Sequence, residues 1–488
     1  MTLSQLFDLS FVAKRDRMAL EADRAYTFGE IDARASRMAH ALAARGVAAG
    51  DRLCVYLPNS VDFIDLYLAA TRLGAIFVPM NILYRDRELR HIIEDAAPVA
   101  VIADERTAEF VPGAGPLWRI EELRLDAERQ ADTRVALVTD ADAPALLIYT
   151  SGTTGSPKGA VITHNMLAAN AINLVTCWQI SDADRLHLML PLFHIHGLGF
   201  GLHCWLVSGC VLRLEERFDH QVVEQQLRDF QPTLFFGVPA MYVRLLGLGD
   251  EAARAIGGRM RLFVSGSAPL PGQVLEQFRE RFGHTILERY GMSETLVNTS
   301  NPYVGERRPG SVGLPMPGVR VRLCDADGLP VPDGTAGEVC VRGPNVFTEY
   351  WRNPGATEKA FRDGWFRTGD VGVRAPDGYL TLQARLSDLI ISGGFNIYPR
   401  EIEEFLCEQP GVAEAAVTGV ADAVRGEVPV AYIVPAGAWD PARLEQACRE
   451  HLASFKIPRK FIAIERLPRT ALGKLQKQLL GAPPASHD

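Results

Sequence analysis

The stretch LLIYTSGTTGSPKGAVITHN, from Leu146 to Asn165, joins an apolar run to a loop of glycines and hydroxyl side chains. A buried strand ending at Thr150 and followed by such a loop is a candidate phosphate site, because glycines let backbone N–H groups approach an anion. Lys158 adds a positive charge, but Pro157 precedes it, so the loop is not a Walker A sequence. These residues predict phosphate binding and leave a flexible polar hairpin open as the alternative.

The bulk composition argues against several classes of partner. The chain has 488 residues and a net charge of −8, which disfavours nucleic acid as a partner because phosphate backbones favour basic surfaces. The eight cysteines form no C-x-x-C pair, and the N-terminus lacks a basic region followed by an apolar one. We therefore expect a reducing, cytoplasmic setting without a zinc site or a disulfide framework.

One uncharged stretch, Leu186 to Leu212, is long enough to cross a bilayer. It also contains Pro191, four glycines and four histidines, a polar content that hydropathy scales penalise. We interpret LHLMLPL as a buried strand and the remainder as loop and helix within the core, and we predict no membrane span.

Apolar runs alternate with amphipathic segments over much of the chain, as in TLFFGVP before AMYVRLLGL and RLFVSG before PGQVLEQFRERFG. Such alternation predicts α/β layers with parallel sheet. Likewise DRLCVYLP is followed by Ser60, a plausible N-cap, and an apolar run at helical spacing. After about residue 310, short strands with Asp-Gly turns predict a β-rich subdomain, and the last hundred residues predict a small α+β domain. We place the domains at 1–385 and 386–488.

The wording of the opening loop is more specific than its composition. YTSGTTGSPKG resembles the signature loop of the adenylate-forming (ANL) superfamily, which includes acyl-CoA synthetases, luciferases and peptide-synthetase adenylation domains. Four further segments resemble that superfamily's other signatures in the right order: ERYGMSET (288–295), GWFRTGDVG (364–372), SGGFNIYPREIE (392–403) and LPRTALGKLQK (467–477). The resemblance implies an acid–CoA ligase that uses ATP and Mg²⁺ to form an acyl-adenylate, and coenzyme A to displace AMP.

The resemblance also assigns roles residue by residue. Tyr290 would stack on adenine, Ser293 would bind the α-phosphate, and Asp370, in a turn, would accept from the ribose hydroxyls. Glu294 would ligate magnesium together with Thr154. The residues assigned to ATP or coenzyme A are Thr150, Ser151, Gly152, Thr153, Thr154, Gly155, Lys158, Gly266, Ser267, Ala268, Glu288, Arg289, Tyr290, Gly291, Met292, Asp370, Arg385 and Gly394.

Lys474, in a Gly-Lys step near the C-terminus, would bridge the attacking carboxylate and the α-phosphate, and composition alone would make it a surface lysine. The C-terminal domain of relatives rotates about a hinge just after an arginine, here Arg385. The family commonly has Gly-Arg-x-Asp or Gly-Arg-x-Lys at this hinge, whereas this chain has Ala384-Arg385-Leu386-Ser387. Serine at the hinge position is a departure that bears on the energetics of the rotation. Gly394 would lie beside the pantetheine tunnel.

Three further segments bear on the acid pocket. FGVPAMYVRLL, LFVSGSAPL and the region around ERYGMSET together resemble the malonyl-CoA synthetases within the superfamily. A dicarboxylate needs a cation in the pocket, and we assign Arg244 first, with Ser267 and Arg307 or Arg308 as helpers. His194, counted with the catalytic residues, and His196, counted with the substrate residues, match a segment beside the pocket, although a core histidine is an equal alternative.

Three rival functions stay open on sequence alone. A medium-chain or aryl-acid CoA ligase would have an apolar pocket without an arginine. An enzyme that loads a carrier-protein thiol would share the first half-reaction. A nucleotide-binding regulator without catalysis is disfavoured by Lys474, Glu294 and Asp370. The sequence leaves the oligomeric state open.

Overall fold

The computed structural model describes residues 1–113, 115–135, 139–150, 157–392, 395–422, 425–452, 454–470 and 475–480. By internal packing the chain divides into two units. The first comprises Met1–Val321 and Val341–Phe366, and the second comprises Arg322–Cys340 and Arg367–Asp488. The boundary predicted after residue 385 falls inside the second unit, and the position of the hinge stays a prediction.

Fourteen α-helices occur in the described residues. They are α1 Leu3–Phe11, α2 Phe28–Ala44, α3 Val61–Leu73, α4 Asp86–Ala96, α5 Ile120–Glu128, α6 His164–Cys177, α7 His203–Ser208, α8 Val223–Phe230, α9 Pro239–Leu245, α10 Asp250–Gly257, α11 Gly272–Phe282, α12 Pro354–Ala360, α13 Pro399–Cys407 and α14 Pro441–His451. A π-helical segment, His196–Leu202, leads directly into α7.

Twenty-five strands occur in the same described residues. They are β1 Met18–Glu21, β2 Ala25–Thr27, β3 Arg52–Tyr56, β4 Ile76–Pro79, β5 Ala100–Ala103, β6 Leu117–Arg119, β7 Pro144–Thr150, β8 Lys158–Thr163, β9 Arg185–Leu188, β10 Val211–Leu214, β11 Leu234–Gly237, β12 Leu262–Ser265, β13 Leu287–Met292, β14 Leu296–Ser300, β15 Leu314–Pro315, β16 Arg320–Cys324, β17 Gly337–Arg342, β18 Phe361–Arg362, β19 Trp365–Arg374, β20 Leu380–Arg385, β21 Ile390–Ser392, β22 Phe395–Ile397, β23 Val412–Asp422, β24 Gly426–Pro435 and β25 Phe461–Ala463.

Two large sheets form the centre of the first unit. One has the order β15-β14-β13-β12-β11-β9-β10-β1-β2, and the other has the order β6-β5-β3-β4-β7-β8. Strands β1, β9, β10, β11, β12 and β13 pair in parallel, as do β3 with β4 and β5. Their near-continuous apolar sequences suit strands that helices cover on both faces. The predicted α/β layers are confirmed.

The later part of the chain is richer in antiparallel sheet. Strands β16, β17, β19 and β18 are neighbours in one sheet, and β20 pairs antiparallel with β19. The C-terminal sheet has the order β22-β21-β24-β23, with β25 beside β24. Apolar side chains of α13, α14 and this sheet share one core cluster, which includes Ile402, Leu406, Val417, Ile433 and Leu444. The predicted small α+β domain is therefore confirmed.

Helix α3 begins and ends where the sequence predicts. The Ser60 hydroxyl accepts from the backbone N–H of Phe63 at 3.2 Å, which satisfies a donor that the first helical turn leaves free. Gly74 ends the helix with a φ of 71°, a conformation that glycine adopts without the cost that a Cβ imposes. The helix is buried along most of its length between these two signals.

The uncharged stretch from Leu186 to Leu212 folds within the first unit. It supplies strand β9, the π-helical segment and α7, and both α7 and that segment are almost entirely buried. Among the helices of the described residues, none combines the length and the apolar character that crossing a bilayer requires.

Two buried histidines, His164 and His203, lead us to predict that the free energy of unfolding depends on pH. His164, the first residue of α6, is fully buried and neither ring nitrogen has a partner among the described residues. The ring of His203 hydrogen-bonds to the Tyr67 hydroxyl at 2.6 Å. Burial lowers the pKa of His164 to about 4 and that of His203 to about 3, so both are neutral in the folded chain at pH 7.

Because unfolding restores ordinary pKa values near 6.5, the unfolded chain binds more protons below that pH. The stability from neutral burial is therefore complete above pH 6.5 and is lost as the pH falls toward 4. We expect the free-energy difference between the wild type and His164→Leu to shift by about 2 kcal/mol between pH 7 and pH 5, in favour of the variant at low pH. Urea unfolding at both pH values measures it. The matched control His220→Leu, at an exposed histidine, should show a much smaller shift; equal shifts would contradict the explanation.

Candidate active site

The predicted phosphate loop connects the two strands of a hairpin. Strand β7 ends at Thr150 and β8 begins at Lys158, and these two residues are directly paired in the antiparallel register. The strand end predicted at Thr150 is thus confirmed. The loop residues Ser151, Gly152, Thr153, Thr154 and Gly155 lie outside the described residues, so their assignments stay predictions.

Glu294 lies beside the end of this hairpin. Its Oε1 accepts hydrogen bonds from the Thr150 hydroxyl at 3.0 Å and from the Tyr350 hydroxyl at 3.1 Å, and the residue is 5 % exposed. The Nζ of Lys158 lies 5.4 Å from the ring centroid of Tyr350. Tyr350 thus contacts both the carboxylate and the lysine. Sequence reasoning missed it, since no local pattern signals a contact across 56 positions.

The oxygen atoms of Glu294 and Thr150 are suitable ligands for magnesium. A carboxylate beside a threonine hydroxyl offers hard oxygen ligands, and Mg²⁺ usually binds one or two carboxylates while waters and phosphates complete its octahedron. In the part of the chain that the structure describes, no group of three or more His, Cys, Asp and Glu side chains is placed to hold a metal. One carboxylate with a hydroxyl beside it fits a magnesium ion whose other ligands are nucleotide phosphates and waters.

Strand β13 carries five of the residues assigned to the nucleotide by motif, from Glu288 to Met292. Glu288, Arg289 and Tyr290 are buried, and successive side chains of a strand point to opposite faces. The Glu288 carboxylate accepts from the backbone N–H of Leu270 at 3.3 Å. Gly291 has no room for a side chain, because a Cβ there would lie 1.7 Å from the carbonyl oxygen of Leu296. Met292 and Ser293 are half-buried at the end of the strand.

Arg289 lies in a second, buried cluster. It is 3 % exposed, and among the described residues its Nε and Nη2 have no hydrogen-bond partner. Its guanidinium lies over the ring of Phe200, 4.7 Å from the centroid. A Cβ on Gly266 would lie 2.5 Å from the Arg289 Cζ, so the guanidinium occupies the space that a side chain at 266 would need. Burial lowers the pKa of Arg289 to about 9, which leaves the group charged at neutral pH.

His196 and Ser267 complete this cluster. His196 is buried, and its Nδ1 hydrogen-bonds to the Ser267 hydroxyl at 3.2 Å. Burial first, and then the nearby Arg289 charge, hold the pKa of His196 well below its usual range, so the ring is neutral. Ser267 has a φ of +69°, which is strained for a residue with a side chain and is found most often at functional sites. A buried cation, a neutral histidine and a hydroxyl therefore converge.

His194 differs from His196 in its burial and in its hydrogen bond. It is half-buried, and its Nδ1 accepts from the backbone N–H of His196 at 3.1 Å. Its ring thus fixes the turn that presents His196. Ala268 follows Ser267 and is half-buried.

The cations that we predicted for the acid pocket stay predictions. Arg244 is exposed near the end of α9, whose buried residues include Met241, Tyr242 and Leu245. The Arg307 guanidinium donates to three backbone carbonyls, those of Thr285 at 2.6 Å, Tyr303 at 2.9 Å and Pro302 at 3.3 Å. Arg308 forms an ion pair with Glu306 at 3.0 Å. Arg289, assigned by motif to the nucleotide, is itself a buried cation.

Asp370 belongs to the second unit and is buried. The turn that we predicted there is wrong, since Asp370 lies within strand β19, opposite Arg385 of β20. Its Oδ1 forms an ion pair with the Nε of Arg385 at 2.9 Å, and its backbone N–H donates to the Thr368 hydroxyl at 3.0 Å. Ser387 lies in a short 3₁₀ turn directly after β20, where its hydroxyl donates to Asp388. Gly394 and Lys474 lie outside the described residues.

Comparison with known proteins identifies the class. A sequence model of the AMP-binding enzyme family matches residues 7–351, and a model of the AMP-binding enzyme C-terminal domain matches residues 401–474. The chain belongs to the AMP-binding enzyme family. The resemblance to the adenylate-forming superfamily is therefore confirmed.

Relatives of known activity span almost the whole chain. A feruloyl-CoA synthase from Amycolatopsis is 37 % identical and covers 96 % of this chain and 97 % of its own. A sulfoacetate–CoA ligase from Cupriavidus necator is 38 % identical, with 94 % and 92 % covered. A malonate–CoA ligase from Arabidopsis thaliana is 32 % identical, with 95 % and 86 % covered. Their names share one activity class and differ in the acid.

Solved structures give the same class. ATP-bound MatB from Rhodopseudomonas palustris has a TM-score of 0.93 and is 38 % identical, with 98 % of both chains covered. An o-succinylbenzoate CoA synthetase from Bacillus subtilis, in complex with ATP and a magnesium ion, has a TM-score of 0.87 at 33 % identity, with 98 % of both chains covered. The chain is accordingly an ATP-dependent, AMP-forming acid–CoA ligase.

Proposed function

We propose that the chain is a malonate–CoA ligase. It would convert malonate, ATP and coenzyme A into malonyl-CoA, AMP and pyrophosphate. The observation that carries the proposal is the buried Arg289, whose Nε and Nη2 have no partner among the described residues. A buried charge is costly unless it is paired, so a substrate that brings a second carboxylate would satisfy these donors. Likeness to the malonate–CoA ligase of Arabidopsis thaliana supports the choice of malonate.

The cluster also accounts for discrimination against monoacids. A carboxylate hydrogen-bonded to Arg289 gains about 1.5–3 kcal/mol per charged hydrogen bond. Acetate or propionate would leave the guanidinium buried and unpaired, at a similar cost or more. Discrimination of about a hundredfold or better follows. One additional methyl group is hard to reject, so methylmalonate should be a secondary substrate.

A bulky aryl acid fits this cluster less well. The guanidinium of Arg289 fills the space beside Gly266 and covers the ring of Phe200, so an aromatic acid would meet a charged group. An apolar ring offers no acceptor to the Nε and Nη2 of Arg289, and a buried charge without hydrogen-bond acceptors is costly. The feruloyl-CoA synthase likeness therefore supports the reaction class more than the acid.

Sulfoacetate is the second candidate. The sulfoacetate–CoA ligase of Cupriavidus necator is 38 % identical to this chain, and sulfoacetate has the same length as malonate with a sulfonate as its second anion. The hydrogen-bonding donors of Arg289 would serve either group. His196, neutral and hydrogen-bonded to Ser267, adds a polar contact at the same place.

The residues of the chain divide the proposed reaction as follows. Lys158 and Thr150 would position the β- and γ-phosphates, Ser293 the α-phosphate, and Tyr290 the adenine. Glu294 would hold Mg²⁺, which supplies charge neutralisation at the phosphates when it is bound. Asp370, paired with Arg385, would accept from the ribose hydroxyls.

In the first half-reaction, the carboxylate oxygen of the acid attacks the α-phosphorus and pyrophosphate leaves. Negative charge builds on the phosphate oxygens, so positioned cations and donors lower the barrier. Lys474 is the residue we assign to the attacking carboxylate and the α-phosphate. In the second half-reaction, the thiol of coenzyme A displaces AMP, and Gly394 would leave room for pantetheine. We place the enzyme in the cytoplasm, in keeping with its eight free cysteines.

An acid panel tests the proposal. Initial rates of CoA-thioester formation are measured with malonate, methylmalonate, sulfoacetate, acetate, hexanoate and 4-coumarate at matched concentrations. We expect the largest kcat/KM with malonate. A preference for sulfoacetate would select the second candidate. A preference for acetate, hexanoate or 4-coumarate would contradict the dianion proposal while leaving the ligase class intact.

A further inference from the structure

One face of helix α4 contacts both ends of the predicted phosphate loop. The Nε2 of His91 hydrogen-bonds to the carbonyl oxygen of Pro157 at 2.7 Å, and since a carbonyl only accepts, His91 donates. The hydroxyl of Tyr149 donates to the Oδ2 of Asp95 at 2.6 Å. His91 and Asp95 are four residues apart, so they lie on the same face of the helix.

These contacts are within the part of the chain that the structure describes, and each adjoins a residue with a proposed role. Tyr149 immediately precedes Thr150, whose hydroxyl donates to Glu294. Pro157 immediately precedes Lys158, which lies over the ring of Tyr350. The rings of His91 and Tyr149 are also in edge contact, with centroids 6.3 Å apart. The two hydrogen bonds therefore hold the end of β7 and the start of β8, on either side of the loop.

Helix α4 is itself firmly held. Its apolar side chains share a core cluster with both strands of the hairpin, and the buried members from the helix and the hairpin are Leu89, Ile92, Ile93, Ala96, Leu147, Tyr149 and Val161. At its C-terminal end, the guanidinium of Arg52 donates to the carbonyls of Ala96 at 2.9 Å and Ala97 at 2.6 Å. The Trp351 indole donates to the carbonyl of Asp95 at 3.2 Å. A helix fixed at its core face and its end is a rigid support.

We propose that His91 and Asp95 are positioning residues for ATP: they fix the separation and orientation of Thr150 and Lys158 that the β- and γ-phosphates require. The inference rests on the proposed function, because the role of Thr150 and Lys158 in binding phosphate is part of it. Neither residue is proposed to contact the reacting atoms. Both act through Tyr149 and Pro157, which adjoin Thr150 and Lys158 at the two ends of the loop. Preorganisation of this kind affects substrate positioning strongly, since small displacements of a binding group weaken catalysis.

The test uses three single variants on the full-length enzyme. His91→Leu removes the donor to Pro157, Tyr149→Phe removes one oxygen and with it the bond to Asp95, and His91→Gln retains a donor of similar reach. We measure the KM for ATP and for the acid in the complete reaction. We also measure the second half-reaction alone, with acyl-adenylate and coenzyme A supplied.

We expect His91→Leu and Tyr149→Phe each to raise the KM for ATP about tenfold, which is the effect of losing about one hydrogen bond. The KM for the acid and the rate of the second half-reaction should change by less than about twofold, because neither involves the β- and γ-phosphates. His91→Gln should restore most of the ATP affinity. The matched control is Arg90→Leu, at an exposed residue of α4 that pairs with Asp86, and it should leave every constant unchanged.

Two results would overturn the inference. One is an unchanged KM for ATP in both His91→Leu and Tyr149→Phe. The other is an equal loss in both half-reactions, which would indicate that α4 supports the fold alone. The acid panel with the wild type decides the proposed function separately, since that measurement does not involve the variants.

Discussion

Replacing Arg289 by methionine is expected to lower kcat/KM for malonate by about a hundredfold to a thousandfold, because two charged hydrogen bonds to the second carboxylate are lost. Methionine retains much of the side-chain length and apolar contact with Phe200, so the core should stay filled. The same variant should keep its activity toward propionate or improve it, since no charge then remains unpaired. Steady-state rates with the two acids give the ratio directly.

Two other variants sharpen this prediction. Arg254→Met is the matched control, because Arg254 is an exposed arginine of α10 without an assigned role and should leave malonate activity unchanged. Gly266→Ala keeps the arginine but places a methyl group where its guanidinium lies, so it should reduce malonate activity selectively. Equal losses with malonate and propionate in Arg289→Met would show that Arg289 supports the fold and does not select the acid.

Replacing Lys474 by alanine is expected to abolish formation of the acyl-adenylate while leaving much of the thioester-forming half-reaction intact. The attacking carboxylate and the α-phosphate are both anionic, and removing the cation assigned to them leaves their repulsion uncompensated. Losses of about a thousandfold are typical when such an electrostatic contact is removed from a transition state. Exchange of labelled pyrophosphate into ATP measures the first half, and acyl-adenylate with coenzyme A measures the second.

Lys460→Ala, at an exposed lysine of the same unit, provides the comparison for charge alone. It should retain both half-reactions. If pyrophosphate exchange in Lys474→Ala were as fast as in the wild type, the assignment of Lys474 would be wrong. A modification that removes the lysine charge, such as acetylation, should have the same effect as the alanine.

Much of the fold could be predicted because its signals are local. The N-cap at Ser60 and the helix end at Gly74 depend on residues within a few positions, and the structure has both. The end of β7 at Thr150 follows from an apolar run meeting glycines and hydroxyls. In these places propensity, capping and burial agree, and the chain folds as its neighbouring residues indicate.

The buried cluster around Arg289 was harder to predict because it depends on strand pairing. Ser265 pairs with Glu288 in the parallel register of β12 and β13, which brings Gly266 beside Arg289 across 23 positions of sequence. No local sequence pattern predicts that contact. The motif around Arg289 instead led us to assign this residue to the nucleotide.

The close approach of Gly266 to the Arg289 guanidinium has a consequence for how such enzymes diverge. A lineage that exchanged this arginine for a small neutral residue would lose the charge and open a void at the same spot. One substitution would thus favour larger acids that have no second charged group. Restoring the arginine would require position 266 to have stayed without a side chain, because a Cβ there would lie 2.5 Å from its Cζ.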